Sequence, residues 1–129
     1  MRKMITTEKA PSAIGNYSPA VAAGNTLYLS GQIPLDPNTM MLVEGDIQRH
    51  VDQVFENIKM VLEAANSNLD EVVKLTVYLT NLADIAAVND GIARYFKSPF
   101  PARTTIQVAA LPKASTVEIE AIAVREMSS

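Results

Sequence analysis

The stretch VFENIKMVLEAANSNLDEVVKLTVYL, residues 54–79, changes its hydrophobic period once and thereby sets the fold class. Its first half continues an apolar pattern that recurs at helical spacing after Gly45 and Asp46, which predicts a helix. Its second half alternates apolar and polar side chains from Val73 to Thr80, as a half-buried strand does. The apolar residues of the helical pattern are Ile47, Val51, Val54, Phe55, Ile58, Val61, Leu62 and Ala65.

Further elements are predicted on both sides of this stretch. Toward the N-terminus, two short β-prone runs flank the turn signal Ala23-Gly24-Asn25 and predict a hairpin. Toward the C-terminus, a second helix is predicted from Asp84, and it must end before the two prolines of SPFP, residues 98–101. Two final strands are predicted over residues 104–110 and 116–125.

These elements give the order ββαβαββ. No linker, repeat or low-complexity tract interrupts the chain, so we expect residues 1–129 to form one domain. The fold class expected is α+β, with a mixed sheet and the two helices packed on one of its faces.

The composition excludes several kinds of chemistry. There is no cysteine, which excludes disulfides, thiolate nucleophiles and sulfur-ligated metals. The formal net charge is -3 and no stretch gathers Lys and Arg, unlike a nucleic-acid-binding protein. No segment has the roughly 18 consecutive apolar residues of a membrane span, and the N-terminus lacks a signal-peptide h-region. We therefore expect a cytoplasmic protein, or a mitochondrial one if a presequence has been removed, that binds neither nucleic acid nor membrane.

The last predicted strand, in TVEIEAIAVRE, residues 116–126, has apolar side chains on both faces. Two helices can cover only one side of a sheet, so the other side needs a different cover. We expect another copy of the same chain there, with a site in the cleft between copies. One face carries Val117, Ile119, Ala121 and Ala123, and the other carries Glu118, Glu120, Ile122 and Val124.

Two charged residues are candidates for chemistry. Arg103 lies in PARTTIQVAALP, residues 101–112, which otherwise predicts a buried strand. Its planar guanidinium suits a carboxylate ligand, although a cation that reaches solvent from the strand end is the alternative. Glu120 lies on the face that a second copy would cover, where a carboxyl group can move a proton. Pairing of Glu120 with Arg103 is the alternative, and the pattern does not choose between Glu118 and Glu120.

Neutral polar residues give weaker signals. Tyr17 and Ser30 lie beside glycines, which permit close backbone approach, but ordinary turn chemistry explains them as well. Asn89, near the start of the second helix, is ambiguous in the same way. His50 lies off the apolar stripe of the first helix and is expected at the surface. The residues alone thus predict an α+β oligomer with an anion-binding cleft.

Several segments occur in order over nearly the whole chain: SAIGNYSPA, LYLSGQIPLDP, VFENIKMVLEAANSNLDEVVKLTVYL, VNDGIARYF, FPARTTIQVAALP and VEIEAIAV. Together they resemble the RidA (YjgF) family of reactive-intermediate deaminases, and the PAR…LP…VEIEAIAV ending is specific to it. The resemblance implies a homotrimer like the chorismate-mutase trimer barrel, with sheets inside, helices outside and clefts between subunits.

The resemblance also implies an activity. Members of this branch hydrolyse 2-iminobutanoate and 2-iminopropanoate to 2-keto acids and ammonia, with no cofactor and no metal. In the family's pattern, Arg103 matches the arginine that holds the substrate carboxylate, and Glu120 matches the acid near the attacking water. The residues that match the lining of the same cleft are Tyr17, Ser30, Gly31 and Asn89.

Departures from the pattern bear on substrate preference. Thr105 stands where many members have cysteine; its hydroxyl can line the cleft and bind the substrate carboxylate, but it excludes thiol chemistry. Asn16 and Pro19 stand beside Tyr17 where the family has proline and glutamine, and Thr104 stands where serine is common. The alternative function is a regulatory trimer that binds 2-keto acids or other small carboxylates without turnover. Ribonuclease activity, reported for some relatives, fits the acidic chain poorly.

Overall fold

The fold consists of a six-stranded mixed sheet and two α-helices. The structure is a computed structural model and describes residues 1–126; the expected domain extends to residue 129, and residues 127–129 lie outside the described ones. The α+β class is confirmed, with one strand more than the order ββαβαββ. The strands are β1 (Arg2–Ile5), β2 (Ala20–Ala23), β3 (Thr26–Gln32), β4 (Val72–Leu79), β5 (Ala102–Gln107) and β6 (Val117–Val124), and the helices are α1 (Ile47–Ala64) and α2 (Ile85–Tyr95).

The strands are arranged in the order β1-β2-β3-β6-β4-β5. Only the pairing of β4 with β5 is parallel, and every other pairing is antiparallel. The extra strand β1 was not predicted because it is a short edge strand with three of its four residues exposed, so it lacks alternation. It forms by pairing with β2, where Arg2 lies opposite Ala23.

The helices lie on one face of the sheet and complete its core. Helix α1 begins where the sequence predicted, because the Asp46 side chain caps it by accepting a hydrogen bond from the Arg49 amide at 3.0 Å. Helix α2 approaches α1 closely at Gly91, where a Cβ would lie 2.6 Å from the Val51 Cγ1 atom. Neither helix of the described residues is long and apolar enough to cross a membrane.

The faces of β6 are as predicted, with Val117, Ile119, Ala121 and Ala123 buried beneath the helices and Glu118, Glu120 and Ile122 half-buried on the other side. We call this other side the open face, because neither helix covers it.

The burial pattern differs from the prediction in three places. On β4, Val72 is buried and Val73 is exposed, because the register with β6 shifts between Val72 and Lys74. Strand β5 begins two residues earlier than predicted, at Ala102, and is an exposed edge strand rather than a buried one. His50 is half-buried rather than a surface residue, and its Nδ1 atom lies 2.8 Å from the Thr116 hydroxyl oxygen.

Candidate functional site

A cavity of about 510 Å³ opens beside a bulge in β3, and we call it the Glu118 cavity. The register of β3 with β6 shifts between Leu29 and Gln32, and such irregularities are common next to active sites. The cavity brings together three residues that the resemblance implied for one cleft. Its lining includes Tyr17, Ser30, Gly31, Lys113 and Glu118.

Gly31 and Glu118 are in close contact at the floor of this cavity. A Cβ atom at Gly31 would lie 2.8 Å from Cδ of Glu118, nearer than such atoms ever approach. Only glycine at this position leaves room for the carboxyl group. The bulge in β3 and the absence of a side chain therefore act together to admit Glu118 to the cavity.

Hydrogen bonds to the preceding loop fix the other walls. The Ser30 hydroxyl donates to the Ser18 carbonyl at 2.6 Å, and the Ser30 amide donates to the Pro19 carbonyl at 3.0 Å. The Tyr17 hydroxyl accepts a longer bond, 3.4 Å, from the Ile14 amide, and the Tyr17 side chain is exposed. Two short hydrogen bonds thus hold Ser30 in place at the cavity. Tyr17 faces solvent and is held by one longer hydrogen bond.

The surroundings of Glu118 make its carboxyl group harder to ionise than an exposed one. Burial raises the pKa of Glu118 above its ordinary value, and the neighbouring Glu120 carboxylate raises it further. A carboxyl group with a raised pKa can both accept and return a proton nearer to neutral pH than an exposed one.

A second cavity, of about 450 Å³, contains the candidate arginine, and we call it the Arg103 cavity. The Arg103 Nη1 atom donates to the Asn89 side-chain oxygen at 2.6 Å. This contact joins two of the predicted site residues, one from β5 and one from α2. Arg103 is exposed, so the rest of its guanidinium can reach a ligand from solvent.

Thr105 lies on the same side of β5 as Arg103, two residues further along. It lies opposite Val77, whose side chain is buried, just as Arg103 lies opposite the buried Leu75. Its hydroxyl oxygen is buried and has no hydrogen-bond partner within the described residues. An orphaned buried hydroxyl of this kind is uncommon and marks a position where a further polar group fits.

Glu120 does not lie where its expected role requires. Its carboxylate accepts a very short hydrogen bond from the Tyr78 hydroxyl on the open face, and it lines neither the Glu118 cavity nor the Arg103 cavity. Nor does it pair with Arg103, which is bonded to Asn89. Glu118 is therefore the carboxylate that lines one cavity with Tyr17, Ser30 and Gly31.

The two cavities lie on opposite sides of the sheet. Arg103 is in register with Leu75, which faces the helices, whereas Glu118 lies on the open face opposite Tyr78. Partners in register on neighbouring strands point to the same side of a sheet. Within one chain, Arg103 and Glu118 therefore face opposite sides of the sheet.

Sequence reasoning missed some of the lining of the Glu118 cavity. Pro11–Ile14, from the segment before β2, and Lys113 contribute to it. Lys113 and Ala114 both adopt left-handed backbone angles, with φ of 56° and 57°, a conformation that is uncommon for residues other than glycine. Neither residue type signals this conformation, so no feature of the sequence could have placed Lys113 at the cavity.

Comparison with known proteins gives one consistent result. Residues 7–125 match the family model described as Endoribonuclease L-PSP. A 2-iminobutanoate/2-iminopropanoate deaminase of Bos taurus is 50% identical over 97% of this chain and 91% of that protein. The crystal structure of RidA from the Antarctic bacterium Psychrobacter is 50% identical, with a TM-score of 0.92 over 95% of this chain and 99% of its own. E. coli TdcF with bound serine is 38% identical, with a TM-score of 0.90 over 96% and 99%.

Proposed function

The chain belongs to the Endoribonuclease L-PSP family, which includes the RidA (YjgF) proteins, and from that membership we propose that it is an imine deaminase. It hydrolyses 2-imino acids such as 2-iminobutanoate and 2-iminopropanoate to 2-keto acids and ammonia. A relative that is 50% identical carries this activity in its name. Another relative binds serine, an amino acid of the same size and with the same carboxylate.

The observation that carries the proposal is the separation of Arg103 from Glu118 on opposite sides of one sheet. Both charges are needed at one substrate, so a second copy of the chain must supply one of them. We propose a homotrimer in which the edge strand β5 of one copy brings Arg103 to the Glu118 cavity of the next. Exposed apolar side chains on the open face, including Tyr28, Ile106 and Val124, support an interface there.

In this site Arg103 holds the substrate. Two parallel hydrogen bonds from the guanidinium bind the carboxylate of the imino acid and fix the position of its C=N carbon. Asn89 keeps the guanidinium oriented through the 2.6 Å bond. The unpartnered Thr105 hydroxyl is a further donor for the substrate carboxylate.

Glu118 moves the protons. The iminium carbon is already electrophilic, so water adds to it when Glu118 accepts the water proton. The carbinolamine that forms has one C–O and one C–N bond at this carbon. Glu118 then returns that proton to the amine and takes up the proton of the carbinolamine hydroxyl as the C=O bond forms and the C–N bond breaks. The 2-keto acid leaves, and ammonia carries this last proton away as ammonium. No cofactor or metal takes part in these steps.

The first test is a coupled assay of Arg103→Ala. A threonine dehydratase supplies the imine, semicarbazide competes for it, and 2-ketobutyrate formation is followed. The wild type is expected to accelerate keto-acid release. In Arg103→Ala the catalysed rate of release should fall about 100-fold or more, because the substrate is no longer held in position. Arg49→Ala is the matched control, because Arg49 is an exposed arginine of α1 that contacts Gln53.

Two results would redirect the proposal. Binding of 2-ketobutyrate by the wild type without any acceleration would identify a carboxylate-binding regulator instead. Dissociation of the Arg103→Ala assembly, seen by light scattering, would make the arginine a structural residue.

The second test separates the two carboxylates. Glu118→Gln is expected to lose about 10²- to 10⁴-fold in kcat, the usual contribution of a general acid–base. Glu120→Gln keeps most of its rate, measured at its own pH optimum. The opposite outcome would restore the acid role to Glu120, as the sequence resemblance implied.

A further inference from the structure

Two carboxylates lie on the open face of β6 without a cation between them. Glu118 and Glu120 are alternate residues of one strand, so their side chains point to the same side. Within residues 1–126, the ion pairs join Arg94 to Asp52 and Lys97 to Asp70, and neither includes these glutamates. Within this part of the chain, no salt bridge therefore neutralises either carboxyl group.

Tyr78 distinguishes the two carboxylates. It lies directly opposite Glu118 in the pairing of β4 with β6, yet its hydroxyl donates to Glu120, which is opposite Thr76. This hydrogen bond fixes the position of the Glu120 carboxylate on the open face. The same bond raises the pKa of the Tyr78 hydroxyl, so the tyrosine remains a donor at neutral pH.

Glu118 has the opposite surroundings. It has no such donor among the described residues, and it is packed against Gly31 at the floor of its cavity. Burial disfavours the charged form of a carboxyl group, and so does a fixed negative charge two residues away. The other titratable groups around Glu118 are Tyr28 on β3, Lys74 on β4, and Tyr17 and Lys113 at the cavity. The Lys74 ammonium group donates a hydrogen bond to the Thr104 hydroxyl.

We infer that Tyr78 and Glu120 are positioning residues that set how readily Glu118 takes up and releases its proton. Tyr78 holds the Glu120 carboxylate in place, and this neighbouring carboxylate raises the pKa of Glu118. The inference rests on the proposed function only for the part that Glu118 plays in turnover. An Arg103 guanidinium from a neighbouring copy would draw the pKa of Glu118 downward, so differences between variants of the same assembly are the quantity to measure.

The test is a carboxyl ¹³C NMR titration of the intact assembly. Glutamate is labelled at the side-chain carboxyl carbon, and the Glu118 resonance is assigned as the one missing in Glu118→Gln. Glu120→Gln is expected to move the Glu118 midpoint to lower pH, because the neighbouring charge is gone. Tyr78→Phe is expected to move it in the same direction by less, because Glu120 stays but is less firmly held in place.

A matched control exists elsewhere in the chain. Glu56 accepts a 2.7 Å hydrogen bond from the Tyr95 hydroxyl, the same kind of pair away from the cavity. Glu56→Gln should leave the Glu118 midpoint unchanged. A midpoint that is also unchanged in Glu120→Gln would overturn the inference, even if that variant were less stable.

The same variants separate this inference from the proposed function. If the protein turns over imines, the limb of the pH–rate profile that belongs to Glu118 moves to lower pH in Glu120→Gln. If the NMR midpoint moves but no imine is hydrolysed by the wild type, the inference stands and the deaminase proposal fails. If imines are hydrolysed and neither the midpoint nor the profile moves, the inference fails alone.

Discussion

The helix-covered face of the sheet and its open face differ in what completes them. On the helix-covered face, side chains such as Leu27, Val77 and Ile119 are fully buried by elements of the same chain. On the open face, Glu118 and Tyr78 are only half-buried, and the arginine proposed to complete their site lies on the other side of the sheet. The difference teaches that one copy of the chain completes its own core, whereas the proposed activity requires a second copy.

A glycine on each face allows this separation to be tested, and Gly31 on the open face should have the largest effect. In Gly31→Ala the new methyl group displaces the Glu118 carboxyl group, so we expect kcat/KM for the imine to fall about 10- to 100-fold. The displaced atoms end a flexible side chain, so the free energy of unfolding should change by less than about 1 kcal/mol. The coupled assay and urea denaturation measure the two effects. A large loss of stability with full activity would contradict the separation of the faces.

Gly91 on the helix-covered face should show the reverse. In Gly91→Ala the methyl group meets Val51 and Phe55, and overpacking of a core costs about 1–3 kcal/mol. Alanine regains up to about 1 kcal/mol in helix propensity, so we expect a net loss of about 1 kcal/mol in the free energy of unfolding. Urea denaturation measures it, and kcat/KM of the folded protein should match the wild type. A reduced kcat/KM would mean that the core and the site are coupled.

The smallest effect is expected at Glu71, which belongs to neither face. Its carboxylate accepts bonds from the Ser67 hydroxyl at 2.6 Å and the Glu126 amide at 2.7 Å, and these lower the pKa of Glu71. A lowered pKa in the folded state stabilises the protein above the ordinary carboxyl pKa, and this contribution is lost as the pH falls through the folded value.

Glu71→Gln should therefore destabilise the protein by at most about 1 kcal/mol near pH 7, and by less at about pH 3. Urea denaturation at both pH values measures the difference from the wild type, with the exposed Glu63→Gln as control. Equal destabilisation at both pH values would show that the lost contacts are not charge-dependent. Turnover should not change.

Much of the fold followed from local patterns. The helical period that contains Phe55 and the alternation around Ile119 each describe a single element with one buried side, and both predictions are confirmed. The prediction that the last strand needs a cover on its second face followed from the same alternation. Periodicity is informative for these two elements because the spacing of apolar residues within each element determines which of its sides is buried.

The features that were not predicted from the sequence depend on the register between strands that are distant in the chain. Val73 was expected to be buried, but the shift of β4 against β6 turns it outward. Glu118 and Glu120 have the same pattern, and only the bulge in β3 opposite them decides which one meets Gly31. Strand β1 forms through its antiparallel pairing with β2. These features arise from strand pairing, so the local sequence pattern does not indicate them.

The position of β6 has a consequence for how the molecule forms. This last strand lies between β3 and β4, and its residue Val124 pairs with Thr26 near the other end of the chain. The entropic cost of closing a loop of that length comes before the contacts that the pairing forms, so folding through this pairing is slow. A growing polypeptide on the ribosome would hold a divided sheet until residues 117–124 emerge. The strand that delivers Glu118 therefore joins the sheet last.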